Sequence, residues 1–301
     1  MTRYATRDVP VRGGHQHVGI WDSGDVAEGA TPLAVVLAVH GVTASHLSWQ
    51  LLADELTTSP GVRVIAPDLR GRGRSADLPG PWGMQTHAED LSAVLDAFDV
   101  ARAIVLGHSM GGFVSVVFAN RQPARVSALV LVDGGIPLPP TLGVSDKEAL
   151  HATLGPAAER LTMTFESVER YRDFWRAHPA FVADWSPEVE RYIDYDLVQG
   201  AFGLHSRANY EAVAADSAEL RDEDAVSAAW RRLPCDPIFL RAPAGLLAEP
   251  PGLYPGKHIA AWAADHPNLR WSDVADVNHY TIILGHQGAK SVAAVVRSEF
   301  A

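Results

Sequence analysis

The sequence has almost no cysteine and no excess of positive charge, and each shortage excludes a class of structure or partner. Cys235 is the single cysteine among 301 residues, so an internal disulfide is impossible and the composition is compatible with a reducing compartment. The 36 acidic residues outnumber the 25 basic ones and give a net charge of −11. Because no basic stripe is available to neutralise phosphate groups, we expect no nucleic-acid partner.

Long apolar runs and metal-binding motifs are also missing. No run approaches the roughly 20 residues that span a bilayer, and the N-terminal residues carry charges where a secretion signal requires an apolar stretch. The histidines are scattered, without a HExxH motif or paired CxxC motifs. We therefore expect a cytoplasmic protein without a membrane span, a metal site or a cofactor.

The chain does contain a regular alternation of short apolar runs and amphipathic segments. Apolar residues make up 47% of the sequence, and continuous apolar runs are typical of strands buried on both faces of a parallel sheet. This alternation predicts an α/β fold, a mostly parallel sheet with helices on both faces. After a hairpin over 9–21, the predicted strands are 33–39, 62–66, 103–106, 126–132, 237–240 and 269–274, and the predicted helices are 49–56, 87–98, 259–264 and 289–300.

The alternation stops at a proline-rich stretch, residues 137–140, which follows the sixth predicted strand. From about 144 to 230 the chain is charged, aromatic and helix-like, with no buried-strand pattern. We predict a core formed by residues 1–136 and 235–301 and a helical cap, or lid, inserted at 137–234. Some cap aromatics are expected to border an apolar pocket.

A serine lies between two glycines in residues 107–111, Gly-His-Ser-Met-Gly, where a predicted strand meets a predicted helix. A serine in a strained strand-to-helix turn needs neighbours without side chains, because otherwise the helix cannot pack back on its strand. The pattern predicts Ser109 as a nucleophile. The segment 68–75 is also rich in glycine, but it lacks the Gly-Lys-Ser/Thr ending of a phosphate-binding loop and is predicted to be a structural turn.

Serine needs a base within hydrogen-bond reach. Of the 13 histidines, His279 lies in the loop between the last predicted strand and the last helix. That loop is expected at the same edge of the sheet as the serine turn. His40 belongs to the turn beside the serine, and His108 is part of the serine turn itself. We therefore predict His279 as the base.

A carboxylate is needed to hold the other imidazole N–H. Glu249, in the loop after strand 237–240, is the preferred candidate, and Asp133, at the end of strand 126–132, is the alternative. Other carboxylates near that edge remain open: Asp236, Asp273 and Asp276.

An oxyanion hole needs two preset backbone donors. Met110, directly after the serine, is expected to supply one amide. Val42, in the loop after strand 33–39, is expected to supply the other.

These motifs together resemble the α/β-hydrolase superfamily. The resemblance rests on His-Gly-Val at 40–42, on residues 68–75, on the serine turn and on Asn-His at 278–279, and it covers roughly residues 30–135 and 235–300. It is nearest to the capped branch, which includes esterases, lactonases, ring-cleavage-product hydrolases, epoxide hydrolases and haloalkane dehalogenases. Epoxide hydrolases and dehalogenases place Asp where Ser109 stands, so the serine implies acyl transfer. The segment 245–249 departs from the family, since it lacks the aspartate of a Gly-Asp-x-Asp-like turn.

The resemblance implies a serine hydrolase that acts on a moderately sized, apolar carboxylic ester or lactone through an acyl-enzyme and requires no cofactor. Two alternatives on the same fold are hydrolysis of a carbon–carbon bond in a diketone and hydrolysis of a thioester. An alternative from another class is a non-hydrolytic ligand-binding protein, which the unusual acid loop motivates.

Overall fold

One eight-stranded sheet organises the chain. The computed structural model describes residues 2–26, 31–139, 156–220 and 223–300. The strands of this sheet are β1 (Arg3–Val11), β2 (Gly14–Asp22), β3 (Ala34–Val39), β4 (Val62–Pro67), β5 (Ala103–His108), β6 (Val126–Val132), β9 (Ile238–Arg241) and β10 (Arg270–Asp273). Their spatial order is β1-β2-β4-β3-β5-β6-β9-β10.

The sheet is mostly parallel, which confirms the predicted fold class. β1 and β2 are antiparallel to their neighbours, whereas each pair from β4 across to β10 is parallel. Parallel neighbours require crossover connections, and α1 (Gln50–Leu56), α2 (Met84–Ala97), α3 (Met110–Arg121) and α9 (Gly256–Asp265) lie in them, whereas α10 (Thr281–Leu284) and α11 (His286–Arg297) follow the last strand. Because such crossovers are right-handed and the chain reverses direction across the sheet at β4, α1 lies on one face and α2 and α3 on the other.

The segment between β6 and β9 forms its own small elements outside the main sheet. We call residues 137–234 the insertion. Its described elements are α4 (Pro156–Glu159), α5 (Val168–Arg176), α6 (Pro187–Tyr195), β7 (Leu197–Gly200), β8 (Gly203–Ser206), α7 (Tyr210–Glu219) and α8 (Glu223–Trp230). The β7–β8 hairpin was not predicted, because its four-residue strands are only half-buried and carry no apolar run. Part of the predicted cap, residues 140–155, lies outside the described residues.

The hydrophobic core lies between the central strands and the helices on both faces. All six residues of β5 are buried, whereas β10 is exposed along its length at the edge of the sheet. Within the described ranges, no helix combines the length and the apolar character needed to cross a bilayer.

Backbone contacts where β5 and β6 end leave no space for side chains. A Cβ atom on Gly134 would lie 2.0 Å from the Ser109 carbonyl oxygen, and one on Gly112 would lie 2.5 Å from the Gly134 oxygen. Real Cβ atoms do not approach backbone this closely. The start of α3 and the end of β6 can therefore pack together only because Gly112 and Gly134 have no side chains.

We expect Gly134→Ala to lower the free energy of unfolding by about 1–3 kcal/mol, because a methyl group must displace backbone. Gly256→Ala is the matched control, since its Cβ would meet only Arg241 atoms at 3.9 Å and should change stability by less than about 0.5 kcal/mol. Urea unfolding measures both. Equal stability of Gly134→Ala and the wild type would contradict this packing.

Candidate active site

The serine turn joins β5 to α3 through a strained residue. Ser109 has φ 54° and ψ −126°, a region that residues with side chains rarely adopt. A Cβ on Gly107 would lie 2.3 Å from the Gly111 oxygen, and one on Gly111 would lie 2.0 Å from the Val39 oxygen. The two glycines therefore let α3 pack against β5 and β3 while Ser109 stands at the tip of the turn.

His279 is held by Asp133. Its Nδ1–H donates to Asp133 Oδ2 at 2.7 Å, which leaves Nε2 free to accept a proton. The second carboxylate oxygen, Oδ1, accepts the Ala242 amide at 3.1 Å. Both side chains are buried, with relative exposures of 3% for His279 and 0% for Asp133. Asp133 directly follows β6, beside the serine turn.

The structure places Asp133, and not the preferred candidate Glu249, in contact with His279. Glu249 is exposed, and its Oε2 accepts the Leu247 amide at 2.8 Å within its own loop. That loop supplies the Ala242 amide to Asp133 instead of supplying a carboxylate to the histidine. The alternative acid, Asp133, is the residue in contact with His279. Among the other candidates, Asp273 pairs with Arg241.

Ser109 and His279 line one small cavity of about 30 Å³. The remaining lining residues come from the loops after β3 and β9, from the insertion and from the His279 region. Most of these residues are apolar. The full set is Gly41, Val42, Ala44, Ser48, His108, Tyr192, Leu246, Tyr280, Ile283 and Leu284.

The loop after β3 fixes the peptide that carries the Val42 amide. The carbonyl of that peptide, Gly41 O, accepts His40 Nδ1–H at 2.8 Å and the Ala44 amide at 3.1 Å. In a trans peptide the N–H points opposite to the carbonyl, so these bonds also orient the Val42 N–H. His40 Nε2 accepts the Leu69 amide at 2.9 Å. Burial lowers the pKa of His40 to about 4, which keeps the ring neutral in this role.

His108 supports the His279 backbone, a contact that sequence reasoning missed. Its Nε2–H donates to the His279 carbonyl oxygen at 2.8 Å, and the two rings lie 4.7 Å apart. Burial lowers the pKa of His108 well below its usual value. A neutral ring that donates from Nε2 positions its neighbour and does not act as a base here. The His before the serine was the only available sequence signal.

The glycine-rich segment 68–75 links the core to the insertion through a buried carboxylate. Asp68 Oδ1 accepts the His46 amide and its Nδ1–H, both at 2.8 Å. Asp68 Oδ2 accepts the Arg74 amide at 2.9 Å and the Tyr195 hydroxyl at 2.6 Å. Tyr195 belongs to α6, so the segment anchors the insertion. In the described part of the chain, no group of three or more His, Cys, Asp or Glu side chains is placed to hold a metal ion.

Comparisons with known proteins show that the chain is similar to proteins of the alpha/beta hydrolase fold. A family model described as alpha/beta hydrolase fold matches residues 34–166. Lipase LipV of Mycobacterium tuberculosis is 40% identical over 105 residues, which are 35% of this chain and 39% of the lipase. A non-heme chloroperoxidase of Streptomyces lividans is 33% identical over 182 residues, 57% of this chain and 64% of that protein. The chain thus matches less than two thirds of the length of these curated relatives.

Similarity extends over nearly the whole chain at the level of structure. The thioesterase domain from the curacin biosynthetic pathway superposes with a TM-score of 0.75 at 18% identity, covering 98% of this chain and 99% of that domain. At such identity the likeness concerns the fold.

We expect the His279 ring proton on Nδ1 to give a separate downfield proton resonance, because the buried bond to Asp133 slows its exchange with water. Asp133→Ala should abolish that resonance, and the control Glu249→Ala should retain it. Proton NMR of both variants measures this. Loss of the signal in Glu249→Ala alone would contradict the assignment.

The free energy of unfolding should decrease as the pH is lowered, because His40 is buried as a neutral ring. Its pKa is about 4 in the folded chain against an ordinary 6.5, so the unfolded chain binds the proton first. The contribution of the neutral ring is fully present above pH 6.5 and is lost between pH 6.5 and 4, by at most about 3 kcal/mol. Urea unfolding at several pH values should show a shallower decline for His40→Gln. Parallel profiles for variant and wild type would contradict this.

Proposed function

We propose that the chain is a serine hydrolase, a proposal supported by the alpha/beta hydrolase fold model that matches residues 34–166 and by the fold shared with a thioesterase domain. It cleaves a carboxylic ester or lactone of a moderately sized apolar substrate through an acyl-enzyme on Ser109. The proposal rests on two observations: Ser109 and His279 line one cavity, and Asp133 accepts the Nδ1–H of His279, which leaves Nε2 without a proton.

The reaction follows from these positions. Ser109 Oγ attacks the carbonyl carbon while His279 Nε2 takes its proton, and Asp133 stabilises the imidazolium that forms. The amides of Val42 and Met110 bind the oxyanion of the tetrahedral intermediate. His279 then protonates the leaving alcohol oxygen as its bond to carbon breaks. Water, deprotonated by His279, attacks the acyl-enzyme and releases the acid and free Ser109.

The cavity supports an apolar substrate. Val42, Leu246 and Ile283 line it together with Tyr192 and Tyr280. Burial raises the pKa of Tyr280 to about 12, so this residue adds no charge to the cavity wall. Apolar walls with few polar groups are typical of small-molecule sites.

The insertion, residues 137–234, acts in this proposal as a cap that must open. A cavity of about 30 Å³ is the size of about one water molecule, so an ester fits only if lining side chains move. Tyr192 belongs to α6 of the insertion, and moving α6 enlarges the cavity directly.

A fluorescent phosphonate tests the nucleophile. The wild type should be labelled and should hydrolyse p-nitrophenyl esters, whereas Ser109→Ala should lose labelling and at least about a thousandfold in kcat. Ser48→Ala is the matched control, because Ser48 lines the same cavity and its hydroxyl bonds to the Ser45 carbonyl. Labelling or full turnover by Ser109→Ala would overturn the proposal.

The bond cleaved is tested with matched substrates. Esters, thioesters and diketones that share one acyl group should rank with the ester or lactone first in kcat/KM. A preference for thioesters or diketones would contradict the ester or lactone as substrate and would leave Ser109 as the proposed nucleophile. Tight ligand retention without any product would favour a binding protein.

A further inference from the structure

The loop that carries the Val42 amide is held from behind by two buried arginines. We call residues 41–43 the oxyanion loop. The Val42 carbonyl oxygen accepts Arg72 Nε–H at 2.8 Å, and the next carbonyl oxygen, that of Thr43, accepts Arg160 Nη2–H at 2.9 Å. Both arginine residues are buried, with exposures of 0% and 1%. Two consecutive peptide planes are thereby fixed by charged donors.

Arg72 contacts both residues whose amides form the proposed oxyanion hole, and it also contacts the insertion. Its Nη2 lies 3.9 Å from Met110 Sδ, so the same side chain contacts Val42 and Met110. Its charge is balanced by Asp216 of α7, which its Nη1 donates to. Asp216 is fully buried and also accepts the Gly83 amide at 2.7 Å. The insertion therefore supplies the counter-charge for an arginine of the core.

Arg160 makes the reciprocal connection, from the insertion to the core. Its Nη1–H groups donate to Asp196 Oδ2 at 2.9 Å and to Ser206 Oγ at 2.6 Å. Its guanidinium carbon lies 5.3 Å from the ring centre of Trp175, close enough for a cation–π contact. All these partners belong to the insertion, and only its bond to Thr43 reaches the oxyanion loop.

We propose that Arg72 and Arg160 are positioning residues that make the geometry of the oxyanion loop depend on the docked insertion. This inference rests on the proposed serine-hydrolase function. A buried guanidinium that loses its carboxylate is strongly destabilised, so displacement of α7 or of the Arg160 segment disturbs the bonds to Val42 and Thr43. Catalysis is sensitive to such shifts, since a displacement of about 1 Å can cost a hundredfold in rate. The proposed oxyanion hole is complete only while α7 and the Arg160 segment stay docked, whereas α6, which carries Tyr192, can move to admit substrate.

Substitution of each arginine by methionine tests the coupling, with Arg70→Met as the matched control. Arg70 lies in the same segment, is equally buried and is bidentate to Asp90 at 2.8 and 2.9 Å; its guanidinium otherwise binds the carbonyls of Pro79 and Arg12. Active sites are counted by phosphonate titration, so that unfolded protein does not enter kcat.

We expect Arg72→Met and Arg160→Met to lower kcat per titrated site about tenfold to a hundredfold, with KM within about threefold of the wild type. Arg70→Met should lower stability and leave kcat per site unchanged. Where a methionine variant does not fold, Arg160→Lys keeps the buried charge with a different reach and should give an intermediate kcat.

The coupling would be overturned if Arg72→Met and Arg160→Met both kept the wild-type kcat per site. It would also be overturned if Arg70→Met lost as much kcat per site as they did. Those results leave the proposed function intact, since it is tested separately by the labelling and turnover of the wild type and of Ser109→Ala. The split between kcat and KM separates positioning from general destabilisation.

Discussion

Three backbone segments approach each other closely at Ser109, and this packing determines where the catalytic candidates lie. The end of β3, the turn from β5 into α3 and the residues after β6 meet where side chains cannot fit, at Gly107, Gly111 and Gly134. This packing holds Ser109 in a strained conformation that its own propensities disfavour. The same packing brings Asp133, the residue before Gly134, beside the serine turn, so nucleophile and acid are placed by one set of contacts.

Around this turn, buried charges are paired between the core and the insertion. Arg72 of the core bonds to Asp216 of the insertion, and Arg160 of the insertion bonds to the core at Thr43. Tyr195 of the insertion reaches Asp68 of the core. Because unpaired buried charges and polar groups are costly, these bonds make the docked arrangement specific. The cavity and the oxyanion loop thus depend on both parts of the chain.

The sequence was sufficient for the alternation of strands and helices and for the serine turn, because both depend on local patterns and on glycine spacing. The sequence was not sufficient to identify the carboxylate that pairs with His279. Glu249 and Asp133 follow adjacent strands, and the choice depends on how the loop after β9 folds back on itself. The two glycines that follow Asp133 were the relevant local signal in the sequence, and the structure shows Asp133 itself at a positive φ of 46°. Burial of Arg70 and Arg72 was not predictable either, since their partners are far away in the chain.

In the proposed function, Ser109, His279 and the amides of Val42 and Met110 act on one carbonyl group. A crystal structure of the phosphonate adduct shows whether they do. We expect phosphorus bonded to Ser109 Oγ, with the phosphoryl oxygen about 2.7–3.1 Å from both amide nitrogens and His279 Nε2 beside the leaving-group position. An adduct on another residue, or a phosphoryl oxygen turned away from both amides, would contradict it.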